Sequence, residues 1–451
     1  MRRIDLSILA AIIAILCFII PLEAEIRALW ALPWSTDTKG GLDSLITAAV
    51  ESRQTDILIE VRYRSDALYK TNRLPDEFPN PEPRSHILRG SDFDPLEYAL
   101  REGHKNNLRV HAWFVTFNAT PVDSLLISQN YIHRNHPDWI TYGEDNLQQQ
   151  PGTKPGCFID PGLPEVHDHL LNVIGDLLTG YPLLDGLHLD YVRYPGSRWG
   201  YHPISVAAYN RSRTGRRISW NQWRMEQVTS FVEKTRELVD SLSPGLVFSA
   251  AVIADPDKAG KHYAQDWLNW LQQGIIDYAY PMAYESDDGD FDRIISELTK
   301  DQLCQKIIVG IRSWNENGES LISRDDESHY NIMDVAERIK TVREEGFAGV
   351  SLFSYDGLIK DDALTHLANF SFSEKLIARM NFREYDQEDG IKYAADLNAT
   401  SGWRHYDLEL RLPAEGNWIW ELRSLQGRGR LQEVEARGEA ALTQDQAGEA
   451  A

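Results

Sequence analysis

Short apolar runs alternate with amphipathic stretches from Ile26 to Phe370. The runs are 26–32 (IRALWAL), 56–63 (DILIEVRY), 108–115 (LRVHAWFV), 184–195 (LDGLHLDYVRYP), 246–254 (LVFSAAVIA), 275–283 (IIDYAYPMA), 306–311 (KIIVGI) and 349–354 (GVSLFS). Each reads as a strand bounded by turn residues. The stretches between them carry apolar residues at helical spacing. The first is 43–52, behind a Gly-Gly break, with Leu45, Ile46, Ala49 and Val50 on one face. Further helices are predicted over 95–104, 164–178, 220–242, 263–273, 290–299 and 332–344, the last closed by Gly346. This alternation predicts an α/β protein, a (β/α)8 TIM barrel over residues 25–370. The strands are near-continuous apolar runs, as strands covered on both faces must be. Links into the strands are short, whereas links leaving the second, third, fourth and seventh are long. The elaborate loops therefore gather at the C-terminal face, where such barrels bind substrate.

Beyond Phe370 the pattern changes. Residues 371–394 read as partly helical. Residues 403–412 and 418–424 alternate and flank Pro-Ala-Glu-Gly-Asn, a hairpin signal. A small C-terminal β extension is expected over 371–426. Residues 427–451 lack aromatics and are rich in Ala, Glu, Gln and Gly, so they are expected to be a disordered tail.

The N-terminus pairs Arg2 and Arg3 with an apolar stretch over 6–20 and a small residue at Ala24. That is the pattern of a signal peptide over 1–24. The stretch is short for a membrane span, which takes about 20 residues. Membrane contact is expected only if this segment stays uncleaved. The expected location is secreted, or periplasmic and cell-envelope. Leu16 before Cys17 argues against a lipobox.

The formal net charge of −22, with no Lys/Arg-rich run, argues against a nucleic-acid partner. Thirteen Trp and nineteen Tyr supply planar faces for sugars, although aromatics also fill large cores. Past the signal only Cys157 and Cys304 remain, too few for a disulfide framework. The barrel reading puts them at opposite ends, so two free thiols are expected.

The fourth strand carries the most chemistry. Leu187, His188, Leu189 and Asp190 alternate, and Tyr191, Arg193 and Tyr194 follow. A carboxylate at the carboxyl end of a parallel strand is where α/β enzymes keep their chemistry; the plainer reading is a turn cap. The segments RALWA, EVRYRSDALY, HAWF, FIDPGLPEV, LDGLHLDYVRYP, DYAYPMAY and GVSLFSYDGL occur in this order along the barrel. In these the chain resembles the glycosyl-hydrolase-like family 10 proteins. The resemblance implies an extracytoplasmic (β/α)8 glycoside hydrolase acting on O-glycosyl bonds. Some relatives cut bacterial polysaccharide, including peptidoglycan glycan strands stripped of peptide. Glu60 stands where relatives commonly carry Gln, which adds a carboxylate here.

Glycoside hydrolysis generally takes two carboxyl groups across the scissile bond. Asp190 is the first candidate, with Arg193 to hold it ionised and Tyr191 and Tyr194 as donors. Glu60 and Glu285 are candidates for the second catalytic group. Arg62, two residues beyond Glu60, shares its face by parity and makes an ion pair between them an equal reading. Asp66 and Asp356 are further acidic candidates, placed with substrate binding; Asp356 more commonly would cap a turn. Trp113 and Trp314 are candidate stacking faces. Tyr280 and Tyr284 share a strand face, and core packing explains one of them equally well. His111 is a hydroxyl partner or a satisfied core histidine. Tyr191, Arg62 and Arg193 complete the candidate substrate-binding set, the arginines for a carboxylate or N-acyl oxygen. The expected partner is a polysaccharide or oligosaccharide.

Two other classes compete. One is a barrel that binds glycan without cutting it. The other is a metal-dependent polysaccharide deacetylase using His188 and Asp190. His167 and His169 lie two apart on a helix and do not face the same way. No second His motif stands at ligand spacing, and no phosphate-cradling Gly loop or Ser-His-Asp elbow is present, so no metal or cofactor is expected. Asn118, Asn210 and Asn398 begin glycosylation sequons.

Overall fold

The computed structural model describes residues 25–371, except 75–76, 89, 153, 286, 316–319, 323–329 and 360–362, together with the backbone of four later strands. The expected signal peptide lies outside the described residues. Among those described, no helix is long and apolar enough to cross a membrane.

Eight parallel strands form the barrel: β1 (Ile26–Ala31), β2 (Asp56–Tyr63), β3 (Arg109–Val115), β4 (Gly186–Asp190), β5 (Val247–Ile253), β6 (Tyr278–Ala283), β7 (Ile308–Arg312) and β8 (Gly349–Phe353). Each pairs with its neighbour in sequence, and β1 also pairs with β8, which closes the ring. The apolar runs were therefore read correctly as strands. The interior is filled by Ile26, Ala28, Trp30, Leu58, Trp113, Tyr280 and Ile308. It is a packed core of the kind such barrels require, not a pore.

The main outer helices are α1 (Lys39–Glu51), α2 (Pro95–Lys105), α3 (Pro164–Gly180), α4 (Pro203–Ser212), α5 (Trp220–Leu242), α6 (Pro256–Tyr263), α7 (Trp267–Gln272), α8 (Asp288–Leu298), α9 (Ile332–Glu344) and α10 (Ala363–Phe370). Their starts follow capping rules. The Asp94, Ser219 and Asp255 side chains accept from backbone N–H groups of the first turn, and Asn331 with Asp334 forms a capping box. Two predicted helices differ. The one expected to start after Gly40-Gly41 begins at Lys39 and contains both glycines. A Cβ on Gly41 would meet the Ser35 carbonyl oxygen at 2.5 Å, so a close backbone contact explains that glycine. The helix expected over 263–273 is shorter, α7 (Trp267–Gln272), and an unpredicted helix, α6, precedes it and ends where Ala264 takes a left-handed conformation (φ 55°).

Four more strands, β9 (Ala378–Asp386), β10 (Gly390–Ala399), β11 (Asn417–Ser424) and β12 (Ala436–Glu439), form an antiparallel sheet in the order β10-β9-β11-β12. The expected β extension is present, but the expected helical character of 371–394 is corrected: β9 and β10 occupy most of it. ARMNFREYD alternates with period two, and that pattern outweighs helix propensity. The strand expected over 403–412 lies outside the described residues, as does the expected tail apart from β12. Cys157 and Cys304 are both free; one lies in the loop after β3 and the other just before β7. The sequon residue Asn118 is wholly buried, so its side chain is closed to glycosylation in the folded barrel.

Candidate active site

The inner face of β2 carries Asp56, Leu58 and Glu60. Glu60 pairs in register with Trp113 of β3, but Arg62 pairs with Phe114. Val61 is therefore an extra residue, a bulge, and it turns Arg62 off the inner face. Arg62 is fully buried and donates to both Glu82 carboxylate oxygens (2.8 and 2.6 Å), to Ser65 Oγ (2.9 Å) and to the carbonyls of Val115 and Thr116. His169 of α3 also bonds Glu82 (2.9 Å). Arg62 is thus not a sugar ligand and does not pair with Glu60; it clamps the loop after β2 to the end of β3. Burial would push Glu82 up, but Arg62 and His169 overcome it and hold the carboxyl at about 2.

Glu60 (4% exposed) and Asp190 (7% exposed) both point inward at the C-terminal end of the barrel, on strands separated only by β3. Neighbouring strands lie about 4.8 Å apart, so the two backbones are roughly 10 Å apart before their side chains converge. Asp190 Oδ1 accepts from the Tyr191 amide (2.6 Å) and Oδ2 from the Trp113 indole N–H (3.1 Å). Burial pushes its carboxyl up; the Tyr191 amide, Arg193, Trp113 and Arg64 act against that. Glu60 behaves differently. Burial and, less strongly, the charge of Asp190 lift it to about 8, with Arg64 opposing. At neutral pH Glu60 holds its proton, and Asp190 is surrounded by donors.

Arg64, not Arg62, joins Arg193 as a cation at this mouth. Its backbone is left-handed (φ 54°), as is that of Tyr191 (φ 50°). Such conformations are uncommon for these residue types and gather at functional sites. Arg64 donates to the Asn118 side-chain oxygen and lies 5.7 Å from the Tyr191 ring. Arg193 lies 4.9 Å from the same ring and 4.8 Å from that of Tyr263. Tyr284 is half-buried after β6 and stacks on Phe353 (5.2 Å). Burial and then Asp190 raise its hydroxyl well above the ordinary range, so it remains a donor.

Other candidates lie elsewhere. Glu285 is exposed beyond β6, and its carbonyl accepts from Arg338; it is not among the charges that act on Asp190. His111 bonds Asp56 (2.7 Å) near the start of β2, at the opposite end of the barrel from Asp190. Tyr280 packs edge-on against Trp30 and His188 inside the core. His111 and Tyr280 are therefore core residues, not mouth residues. Trp113 is too buried to offer a stacking face and instead orients Asp190. Asp356 accepts from the Ser35 hydroxyl and the Leu32 amide, which ties the turn after β8 to that after β1. This is capping, not sugar binding. Trp314 is half-buried after β7 with Arg312 over its ring at 4.2 Å. Asp66 lies in a short return strand beside β2, with its carboxylate 3.8 Å from His86. His188 bonds Ser249 (2.9 Å). Among the described residues no three His, Cys, Asp or Glu side chains gather as a metal site.

Arg64 and Asn118 are the participants sequence reasoning missed. RYRSDALY displays both arginines, and alternation from Glu60 gives Arg62 and Arg64 the same parity, so it does not separate them.

The model of the glycosyl hydrolase-like 10 family matches residues 42–312, which include both carboxyls and all but the first and last of the eight barrel strands. The chain belongs to that family. The chain is also similar to glycosyl hydrolase YngK of Bacillus subtilis (strain 168), 26% identical over 301 residues, covering 58% of this chain and 55% of that protein. Glycosyl hydrolase DigH of Escherichia coli (strain K12) is 29% identical over 220 residues, covering 43% and 46%. The chain spans about half the length of these curated relatives. Among solved structures, the PgaB (BpsB) glycoside hydrolase domain from Bordetella bronchiseptica aligns over 77% of this chain and 99% of its own, with a TM-score of 0.56 and 12% identity. That likeness shows the TIM-barrel fold.

Proposed function

We propose that this protein is a glycoside hydrolase. In this reading it cleaves O-glycosidic bonds of an extracellular or cell-envelope polysaccharide, with peptidoglycan glycan strands among the candidates. The observation that carries it is the pair of inward carboxyls at the C-terminal mouth of the barrel, Glu60 kept protonated by burial and Asp190 held by N–H donors. Glu60, kept protonated to about 8, is the general acid that protonates the leaving oxygen. Asp190, with two N–H donors on its two oxygens, is the carboxylate that acts at the anomeric carbon, as nucleophile or through water. A buried carboxyl that keeps its proton beside one that accepts from N–H donors is the pattern of acid and base roles in glycosidases. Tyr284 and Arg64 supply donors beside them. The N-terminal apolar segment supports placement outside the cytoplasm.

The test is release of reducing ends from peptide-free glycan strands and other envelope polysaccharides by the purified full chain. Asp190→Asn and Glu60→Gln should each lower kcat by about 10²–10⁴-fold while leaving binding near wild type. Wild-type turnover by Asp190→Asn would refute the assignment. Saturable binding with no new reducing ends from the wild type would favour a glycan-binding barrel instead.

A further inference from the structure

A cavity of about 580 Å³ opens between the loops that leave β2 and β3. Glu60 and Asp190 do not line it, but Arg64 does, so Arg64 borders both the carboxyl pair and this cavity. Arg84 and Arg134 extend the cationic wall outward. Among the described residues none of the three arginines is ion-paired. Arg64 donates to a neutral amide and Arg84 to the Phe93 carbonyl; the Arg84 Nε is buried without a partner. Two carboxylates also border the cavity: Asp66, 3.8 Å from His86, and exposed Asp92. Asn130 donates to the carbonyls of Arg64 (2.7 Å) and Ala119 (3.0 Å) and fixes the two loops to each other.

Cationic donors left without carboxylate partners are notable in a chain of net charge −22. A preorganised guanidinium in a concavity selects a planar anion such as a carboxylate. The volume falls in the range of small-molecule sites, about 300–1,000 Å³, and so admits a whole sugar ring rather than a lone ion.

We propose that this cavity is a subsite for an acidic sugar residue of the polysaccharide, whose carboxylate is held by Arg84 and Arg134 with Arg64 at the inner edge. The proposal rests on the hydrolase reading for its substrate, but it predicts binding that can be measured without turnover.

The experiment uses the full chain carrying Asp190→Asn and titrates it calorimetrically with two carboxylated probes. One is a hexuronate oligomer, with the carboxylate on the ring. The other is a peptide-free muramic acid glycan, with the carboxylate on an ether arm. Each is compared with its carboxyl-reduced form. At least one carboxylated probe should bind about tenfold or more tighter than its reduced form, as expected for loss of a charge-assisted contact. Whichever probe shows the gap identifies the carboxylate's attachment. Arg84→Ala and Arg134→Ala should each shrink that gap without changing affinity for the reduced form. Should Arg84→Ala fail to fold, Arg134→Glu on the exposed rim carries the test, and it should weaken the acidic probe more than Arg134→Ala does. Equal affinity for carboxylated and reduced probes, or a gap untouched by the arginine variants, would overturn the subsite. Arginine-dependent binding by a wild-type chain that releases no reducing ends would sink the hydrolase reading and leave the subsite standing. Cleavage without acid preference would do the reverse.

Discussion

Glu60 sets the pH behaviour expected of this protein. Its carboxyl is ordinarily near 4.5 and here lies at about 8, through burial first and Asp190 second. An acid catalyst works only while it holds its proton, so activity should fall as pH rises through about 8. It should also fall at low pH, as Asp190 takes up a proton at a value above its ordinary 3.8. Glu60→Gln should remove the alkaline limb from whatever residual rate remains, measured as kcat/KM against pH. The same shift affects stability. Below 4.5 Glu60 is protonated in both folded and unfolded chains. Between 4.5 and about 8 only the unfolded chain releases the proton, so the folded state loses stability as pH rises. Glu60→Gln should therefore gain on the wild type across that window, by on the order of a few kcal/mol, as read from urea unfolding at pH 5 and pH 8.5. A constant difference between the two proteins would mean that Glu60 is not buried as described.

At the scale of elements, one bulged residue takes Arg62 off the inner face, and the left-handed turn at Arg64 and Ser65 lies beyond it. The strands themselves were legible because strands buried on both faces leave nearly unbroken apolar runs. Asp190 was legible because it closes such a run. Parity, however, names a face and not a height. Tyr280 and Tyr284 share a face, yet one packs in the core and the other stands at the mouth. His111 sits near the bottom, paired with Asp56. Parity also fails across a bulge, and nothing in DILIEVRY marks Val61 as the extra residue, so alternation keeps Arg62 on the inner face that it leaves. Arg62 instead belongs to the joint between loop and barrel. Replacing it with Met would leave Glu82 buried without its main counter-charge. Breaking one side of a buried pair costs about 3–5 kcal/mol, and the loss should appear in the denaturation midpoint at neutral pH. The wild-type pair contributes above pH 4.5 and loses its contribution as pH falls toward 2, because Glu82 is held at about 2 when folded. The gap between Arg62→Met and the wild type should accordingly narrow in acid. A midpoint unchanged at neutral pH would show that the clamp is dispensable.

At the scale of the whole molecule, the barrel is closed by contacts that all precede Phe370. Ile26 of β1 is in register with Gly349 of β8, and Leu29 with Leu352. Trp30 meets Phe353 edge-on at 5.8 Å within the ring. Asp356 ties the turn after β8 to Ser35 and Leu32 beyond β1, and Arg343 of α9 pairs with Glu25 at the chain's entry to β1 (2.5 Å). None of these requires a residue of the β9–β12 sheet, and residues 25–367 form a compact unit by themselves. A chain truncated after Phe370 should therefore unfold in one cooperative transition, with stability within about 1 kcal/mol of the barrel transition in the full chain. Truncation before Gly349 removes β8 and opens the ring, exposing the unpaired edges of β1 and β7. That shorter chain should aggregate or fail to fold. If the Phe370 truncation also loses its cooperative transition, the C-terminal sheet is part of the barrel's folding unit, and the ring contacts alone are not sufficient.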